Sequence, residues 1–80
     1  MMDRVNALPD RFAARLEPAT FNQVRSAARA GEWGEAVDNL IAGLVETQAA
    51  VTTAERDELC SLLGTMGLPT DITNGLNIQG

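Results

Sequence analysis

Residues 32–48 carry the most regular apolar periodicity in the chain. The apolar side chains recur at steps of three and four, which is the spacing of an amphipathic helix with one wide apolar face. That face comprises Trp33, Ala36, Val37, Leu40, Ile41 and Leu44, with Gln48 at its end. At about 100° of rotation per residue, the opposite side carries Glu32, Glu35, Asn39, Ala42 and Glu46, with Asp38 beside them. One face is therefore expected to pack against the rest of the protein, while the other presents carboxylates to solvent.

The length of 80 residues and the 45% apolar content are those of one small globular domain. A chain of this size buries only about 60 to 65% of the surface that its unfolded form exposes, so we expect modest stability. Cys60 is the single cysteine, which excludes an internal disulfide. No run approaches the about 20 apolar residues of a membrane-spanning helix, and the N-terminus lacks the apolar run of a signal peptide. We therefore expect a soluble, cytoplasmic protein.

The two parts of the chain differ in charge. Residues 1–30 hold five arginines against three acids, and residues 31–80 hold eight acids against one arginine, so the parts carry +2 and −7, which sum to −5. Such a balance repels phosphate backbones and anionic lipid and attracts basic partners. Binding to nucleic acid or to membranes is therefore disfavoured. The simpler alternative is an acidic face that only keeps a small protein soluble.

The remaining pattern predicts three further helices. Pro9 disfavours helix at Leu8 and suits a first helical turn, which places a short helix over residues 9–16. Thr20 and Gln23 fit a capping box for a helix over residues 19–30, although Pro18 in the first turn would start it two residues earlier. We expect the central helix to span residues 32–48.

The last helix, over residues 53–66, has the clearest ends. Thr52 and Glu55 form a capping box, and Gly67 suits the left-handed position after the helix. Residues 69–80 form an irregular tail, with one short helical turn or a tiny hairpin as alternatives. The predicted fold is all-α, a small bundle of about four helices in a single domain over residues 1–80. Its predicted core is Phe12, Leu16, Phe21, Val24, Trp33, Val37, Leu40, Leu44, Leu59, Leu62, Leu63 and Met66.

No pattern of catalytic or metal-binding residues emerges. The chain has no His, Tyr or Lys, and Cys60 has no activating partner. Carboxylate pairs three residues apart, such as Glu55 and Glu58, are common on solvated helices and lack the further ligands of a metal site. Acyl carrier proteins are small acidic bundles too, but their Asp-Ser-Leu attachment site is replaced here by Cys60-Ser61-Leu62. We expect a protein that is not an enzyme and uses no cofactor and no metal.

From Gly31 to Leu68 the sequence resembles the MafI-like immunity proteins of bacterial polymorphic toxin systems, which include contact-dependent growth inhibition. The resemblance rests on a Gly-Glu-aromatic-Gly corner, a leucine-spaced helix ending near an acid, and a helix opened by Thr with Glu. The matching positions are Gly31-Glu32-Trp33-Gly34-Glu35-Ala36, Leu40, Leu44, Glu46, Thr52/Thr53-Ala54-Glu55, Leu59, Leu62, Leu63 and Met66-Gly67-Leu68. The resemblance implies a cytoplasmic inhibitor that binds and blocks the C-terminal effector domain of a cognate toxin, a protein partner expected to be basic.

Many such effectors are nucleases with basic grooves, and carboxylates at helical spacing suit a phosphate-mimicking surface. The predicted toxin-binding residues are Glu32, Glu35, Asp38, Asn39 and Glu46, which we call the acidic stripe, with Asp57 and Glu58 as an outlying patch. These carboxylates have three alternative roles. They could simply be solvated, they could complement the helix dipole, or Glu32 could pair with Arg25 or Arg29. Trp33 is expected in the core rather than in an interface.

The sequence is compatible with two other functions. A structural or adaptor domain that self-associates as a homodimer would use small residues for close helix contact; these are Ala19, Ala27, Ala28, Ala30, Ala42 and Gly43. A small enzyme or carrier using Cys60 is the third.

Overall fold

The computed structural model describes residues 2–79, so Met1 and Gly80, the last residue of the predicted tail, lie outside it. Within these residues the chain forms four α-helices and two short strands. Their bounds are α1 Met2–Phe12, α2 Pro18–Arg29, α3 Trp33–Thr47, β1 Ala50–Val51, α4 Thr53–Thr65 and β2 Asn77–Ile78. Two 3₁₀ segments, Ala13–Arg15 and Asp71–Gly75, follow α1 and precede β2. The predicted all-α bundle of about four helices is confirmed.

Helix α3 lies at the centre of the molecule and follows the predicted periodicity. Glu32 is the residue before the helix, and Gln48 is the left-handed residue after it, with φ of 54°. Of the other helices, α2 packs most extensively against α3. Gly43 lets these two helices approach closely, since a Cβ added at this position would lie 2.7 Å from Cγ2 of Thr20. The buried residues of α3 are Ala36, Val37, Leu40, Ile41, Gly43 and Leu44.

Helix α1 corrects the prediction of a helix over residues 9–16. It runs from Met2 to Phe12 with Pro9 inside it. An interior proline costs about 3 kcal/mol, but the helix fully buries Val5, Leu8 and Phe12 on one face. Each such side chain contributes about 1.5 to 3 kcal/mol, so burial outweighs the lost backbone hydrogen bond.

Helix α2 begins at Pro18, the earlier of the two starts that the sequence allowed. Glu17 takes the N-cap position without a side-chain hydrogen bond, so the capping box of Thr20 and Gln23 does not form. At its end Gly31 adopts φ of 79°. The amide of Glu32 donates to the carbonyl of Ala27 at 2.9 Å, which closes the helix in a Schellman motif.

Helix α4 starts and ends as predicted. Thr52 Oγ1 accepts from the Glu55 amide and Glu55 accepts from the Thr52 amide, which completes the capping box. Gly67 has φ of 71°, and the amide of Leu68 donates to the carbonyl of Leu63 at 2.9 Å in a second Schellman motif. This turn directs the tail back across α3.

The tail is more ordered than the predicted irregular segment. β2 pairs with β1 in parallel, with Ala50 opposite Asn77, so the strands form no hairpin. Leu76 and Thr73 are buried. The helical turn that the sequence left as an alternative is the 3₁₀ segment Asp71–Gly75.

The core differs from the predicted set at its margins. Leu16, Phe21, Trp33 and Met66 are half-buried rather than buried. Eight further hydrophobic residues are buried, namely Val5, Leu8, Ala27, Ala28, Ala36, Ile41, Val51 and Leu76. None of the helices within residues 2–79 combines the length and the apolar character needed to cross a bilayer.

Candidate functional site

The acidic stripe lies along the side of α3 that faces away from the core. Glu32, Glu35, Asp38 and Glu46 are exposed, and Asn39 is half-buried. Four of the five residues belong to α3, which fixes their backbone on one rigid element. The structure therefore brings the predicted stripe together as one surface.

The carboxylates at the start of the stripe influence one another. A hydrogen bond with Glu32 raises the pKa of Glu35, and repulsion from Glu32, slight desolvation and repulsion from Asp38 act in the same direction. Each of these causes favours the protonated form of Glu35. The N-terminal end of α3 favours negative charge, but it does not prevent this mutual repulsion.

No arginine neutralises the stripe within the part of the chain that the structure describes. The ion pairs there join Arg11 to Glu58, Arg15 to Glu55 and Arg56 to Asp57. The predicted alternative, pairing of Glu32 with Arg25 or Arg29, does not occur among these residues. The stripe therefore keeps its charge available to an external cation.

An apolar groove borders the stripe. It has a volume of about 450 Å³. Leu68 and Ile72 are 37% and 38% exposed, which is high for aliphatic side chains of this size. Pro69 adds to its wall. We call it the α3 groove and define it by Gly34, Glu35, Asp38, Leu63, Leu68 and Ile72.

The local sequence explains why this groove forms. The Schellman turn at Gly67 ends α4 and places Leu68 against the start of α3. Gly34 allows that approach, since a Cβ at this position would lie 3.1 Å from Cδ1 of Leu68. The 3₁₀ segment then carries Ile72 to the other wall of the groove.

A second depression continues the groove along α3. Its volume is about 370 Å³, and Asp38 and Ile72 line it together with Ala42, Val45 and Glu46. Because Asp38 and Ile72 belong to both depressions, the two form one surface with aliphatic side chains below and carboxylates at the rim.

Asn39 lies on the other flank of the stripe. It lines a polar depression between α2 and α3 with Glu32, Glu35, Gln23 and Ser26. Glu35 therefore stands on the ridge between a polar and an apolar depression.

The outlying patch of Asp57 and Glu58 has other contacts. Asp57 accepts from Nε of Arg56 at 3.0 Å, and Glu58 is half-buried and paired with Arg11. Glu58 thus helps to join α4 to α1. The structure pairs both residues with arginines, whereas no ion pair among the described residues involves a carboxylate of the stripe.

The structure offers little for covalent or metal chemistry. Sγ of Cys60 lies 3.2 Å from Oγ1 of Thr73, a hydroxyl that also donates to the carbonyl of Thr70. No group of three His, Cys, Asp or Glu side chains within residues 2–79 could hold a metal ion. Trp33 packs at the margin of the core, and its Nε1 has no hydrogen-bond partner among the described residues.

The α3 groove is the feature that sequence reasoning missed. It depends on where the tail crosses α3, and no periodic pattern encodes that crossing. The sequence signal that could have indicated the groove is the pair Leu68 and Ile72, which are the large aliphatic residues of the segment 68–75.

No protein-family model, no curated protein and no solved structure matches this chain. The surface of the molecule is therefore the guide to its function. Charge, exposure and the adjoining groove are the observations that bear on it.

Proposed function

We propose that this protein is an immunity protein that binds the effector domain of a cognate bacterial toxin and neutralises it in the cytoplasm of the toxin-producing cell. The observation that carries the proposal is the uncompensated acidic stripe on α3. Such a surface suits a basic effector domain, for example that of a nuclease, whose substrate groove attracts phosphates. The sequence resemblance to MafI-like immunity proteins supports the same function.

The charge and the rigidity of the stripe favour rapid capture of a basic effector domain. Carboxylates held on one helix present negative charge at fixed spacing, as a phosphate backbone does. Complementary charge accelerates association to as much as about 10⁸ to 10⁹ M⁻¹s⁻¹ at low salt. Rapid capture benefits an antidote, because the toxin must be blocked before it acts.

The self-association alternative receives less support. Of the small residues that would mediate it, Ala27, Ala28 and Gly43 are buried within the chain. Gly43 packs against Thr20 of α2 in the same molecule. Gly43 therefore serves the α2–α3 contact, and none of these three residues is free to join two copies; the remaining three, Ala19, Ala30 and Ala42, are exposed.

Co-expression in a heterologous bacterial host tests the proposal. The gene of an immunity protein of this kind is expected to lie next to its toxin gene, and the effector domain of that toxin is produced alone, with the wild type, and with the double variant Glu35→Arg plus Glu46→Arg. The wild type should restore growth and the variant should not, because the charge reversal repels a basic effector. Circular dichroism establishes that the variant is folded.

A matched control separates the stripe from net charge. Asp10→Arg plus Glu17→Arg changes the charge equally at two exposed positions outside the stripe and should still restore growth. Failure of the wild type to restore growth would contradict the immunity function. Equal rescue by both double variants would show that the stripe is not the binding surface.

A further inference from the structure

Two of the three most exposed large aliphatic side chains lie together on the surface. Leu68, Ile72 and Ile78 are the large hydrophobic residues with the highest exposure in the described chain, and the first two line the α3 groove. Ile72 also lines the second depression. Concave surfaces lined by apolar side chains with a few polar groups are typical of sites where another molecule binds.

The rim of this surface has one sign of charge. Glu35 and Asp38 line the α3 groove, Glu46 lines the second depression, and no arginine lines either of them. From position 35 to position 46 the helix rises about 16 Å. An occupant must therefore combine apolar side chains for the floor with cations along roughly three helical turns.

These features exclude several occupants. Nucleic acid and anionic lipid are repelled by the rim. A second copy bound through the same face would place like charges opposite each other, because a two-fold interface pairs a surface with itself. The groove is open along its length, which suits a polypeptide segment better than an enclosed small molecule.

We propose that the α3 groove binds a cationic amphipathic segment of a partner protein, with an aliphatic or aromatic side chain seated between Leu68 and Ile72 and Lys or Arg side chains on the rim carboxylates. Helix-in-groove recognition has this division between apolar anchors and flanking charge. The segment belongs to the toxin if the proposed function holds, and the groove then supplies the affinity that charge steering alone lacks.

Nuclear magnetic resonance titration with a defined probe tests the inference. The probe is a synthetic peptide of about 14 residues, or four helical turns, with leucines at steps of three and four and lysines elsewhere. It should shift the amides of Gly34, Leu68 and Ile72. Peptides with glutamate for every lysine, or serine for every leucine, should leave these amides unchanged.

Two variants provide a matched comparison, because Ile72 and Ile78 are each 38% exposed and only Ile72 lines the groove. Ile72→Ser should weaken peptide binding about ten-fold, the loss expected when one large apolar side chain leaves an interface. Ile78→Ser should bind like the wild type. Equal binding by the two variants, or shifts confined to another face, would overturn the inference.

The growth assay distinguishes this failure from failure of the proposed function. Rescue by the wild type together with equal rescue by Ile72→Ser would leave the immunity function intact and place the toxin on another surface, overturning the groove assignment. A concentration series of the free protein provides a further check. Self-association with dimer contacts at the α3 groove would also overturn the groove assignment.

Discussion

Arg15 and Glu55 form a bidentate ion pair that joins the 3₁₀ segment Ala13–Arg15 to the first turn of α4. Nη1 and Nη2 of Arg15 donate to Oε1 and Oε2 of Glu55 at 2.8 and 2.7 Å. This hydrogen bonding lowers the pKa of Glu55 to about 2, against partial desolvation. Since the unfolded value is about 4.3, the pair stabilises the fold above that pH. Its contribution is lost as the pH falls toward the folded-state pKa of about 2.

Glu55→Gln removes the charge and keeps an acceptor for the Thr52 amide. We expect the free energy of unfolding at pH 7 to fall by about 1 to 2 kcal/mol, since the pair is bidentate but partly open to solvent. Urea denaturation should show this difference shrinking as the pH approaches 2. Glu58→Gln, which breaks the more exposed pair with Arg11, should cost less than about 1 kcal/mol. A difference between Glu55→Gln and wild type that does not vary with pH would contradict the assignment.

Gln48 is the one non-glycine residue in the described chain with positive φ. It ends α3 as the glycines at 31 and 67 end α2 and α4: the amide of Ala49 donates to the carbonyl of Leu44 at 3.1 Å. Its side chain also donates to the carbonyl of Val45 at 2.8 Å. A side chain in this backbone conformation costs about 1 kcal/mol or more relative to glycine.

Comparing Gln48→Gly with Gln48→Ala isolates the backbone cost, because both variants lose the side-chain hydrogen bond. The glycine variant should be more stable by about 1 kcal/mol. Thermal unfolding followed by circular dichroism gives the difference. Equal midpoints would show that the left-handed conformation is not maintained in solution.

At the scale of helices, the contact between α2 and α3 depends on a missing side chain. Gly43→Ala would raise helix propensity by about 1 kcal/mol, but its Cβ meets the stiff, β-branched Thr20. We expect a net loss of about 1 to 3 kcal/mol from overpacking. The double variant with Thr20→Ser should recover part of that loss, because the clashing methyl group is gone.

Gly64→Ala is the matched control for this prediction. An added Cβ at Gly64 meets nothing within 4 Å, so the same substitution should stabilise α4 by up to about 1 kcal/mol. Opposite signs for the two alanine variants in urea denaturation would support the close α2–α3 approach. Stabilisation by both would contradict it.

At the scale of the whole molecule, local signals predicted the elements and not their assembly. The period of α3, the capping box at Thr52 and the left-handed glycines at 31 and 67 each depend on neighbouring residues only. The predicted start of the first helix was wrong because Pro9 is a strong local signal for a helix start. The burial of Val5 and Leu8 in the tertiary structure outweighs that signal. The parallel pairing of Ala50 with Asn77 joins distant parts of the chain, for which the sequence offers no local cue.

The same division applies to the candidate site. The carboxylates of the acidic stripe could be placed on one face because Glu35, Asp38 and Glu46 share helix α3 and Glu32 directly precedes it. The α3 groove could not, because its walls come from α3, the end of α4 and the 3₁₀ segment. Whether Glu58 was free also depended on a distant residue, since Arg11 of α1 pairs with it. The partner of Asp57 is the adjacent Arg56.

In the proposed function, the acidic stripe captures a basic toxin domain. The most direct test of this capture is the association rate constant between this protein and the effector domain of the proposed cognate toxin, measured by stopped-flow fluorescence over a series of salt concentrations. The wild-type rate should fall at least about ten-fold as salt screens the stripe. The variant with Glu35→Gln, Asp38→Asn and Glu46→Gln should associate more slowly and respond weakly to salt. A rate that is independent of salt and unchanged in the variant would contradict the claim.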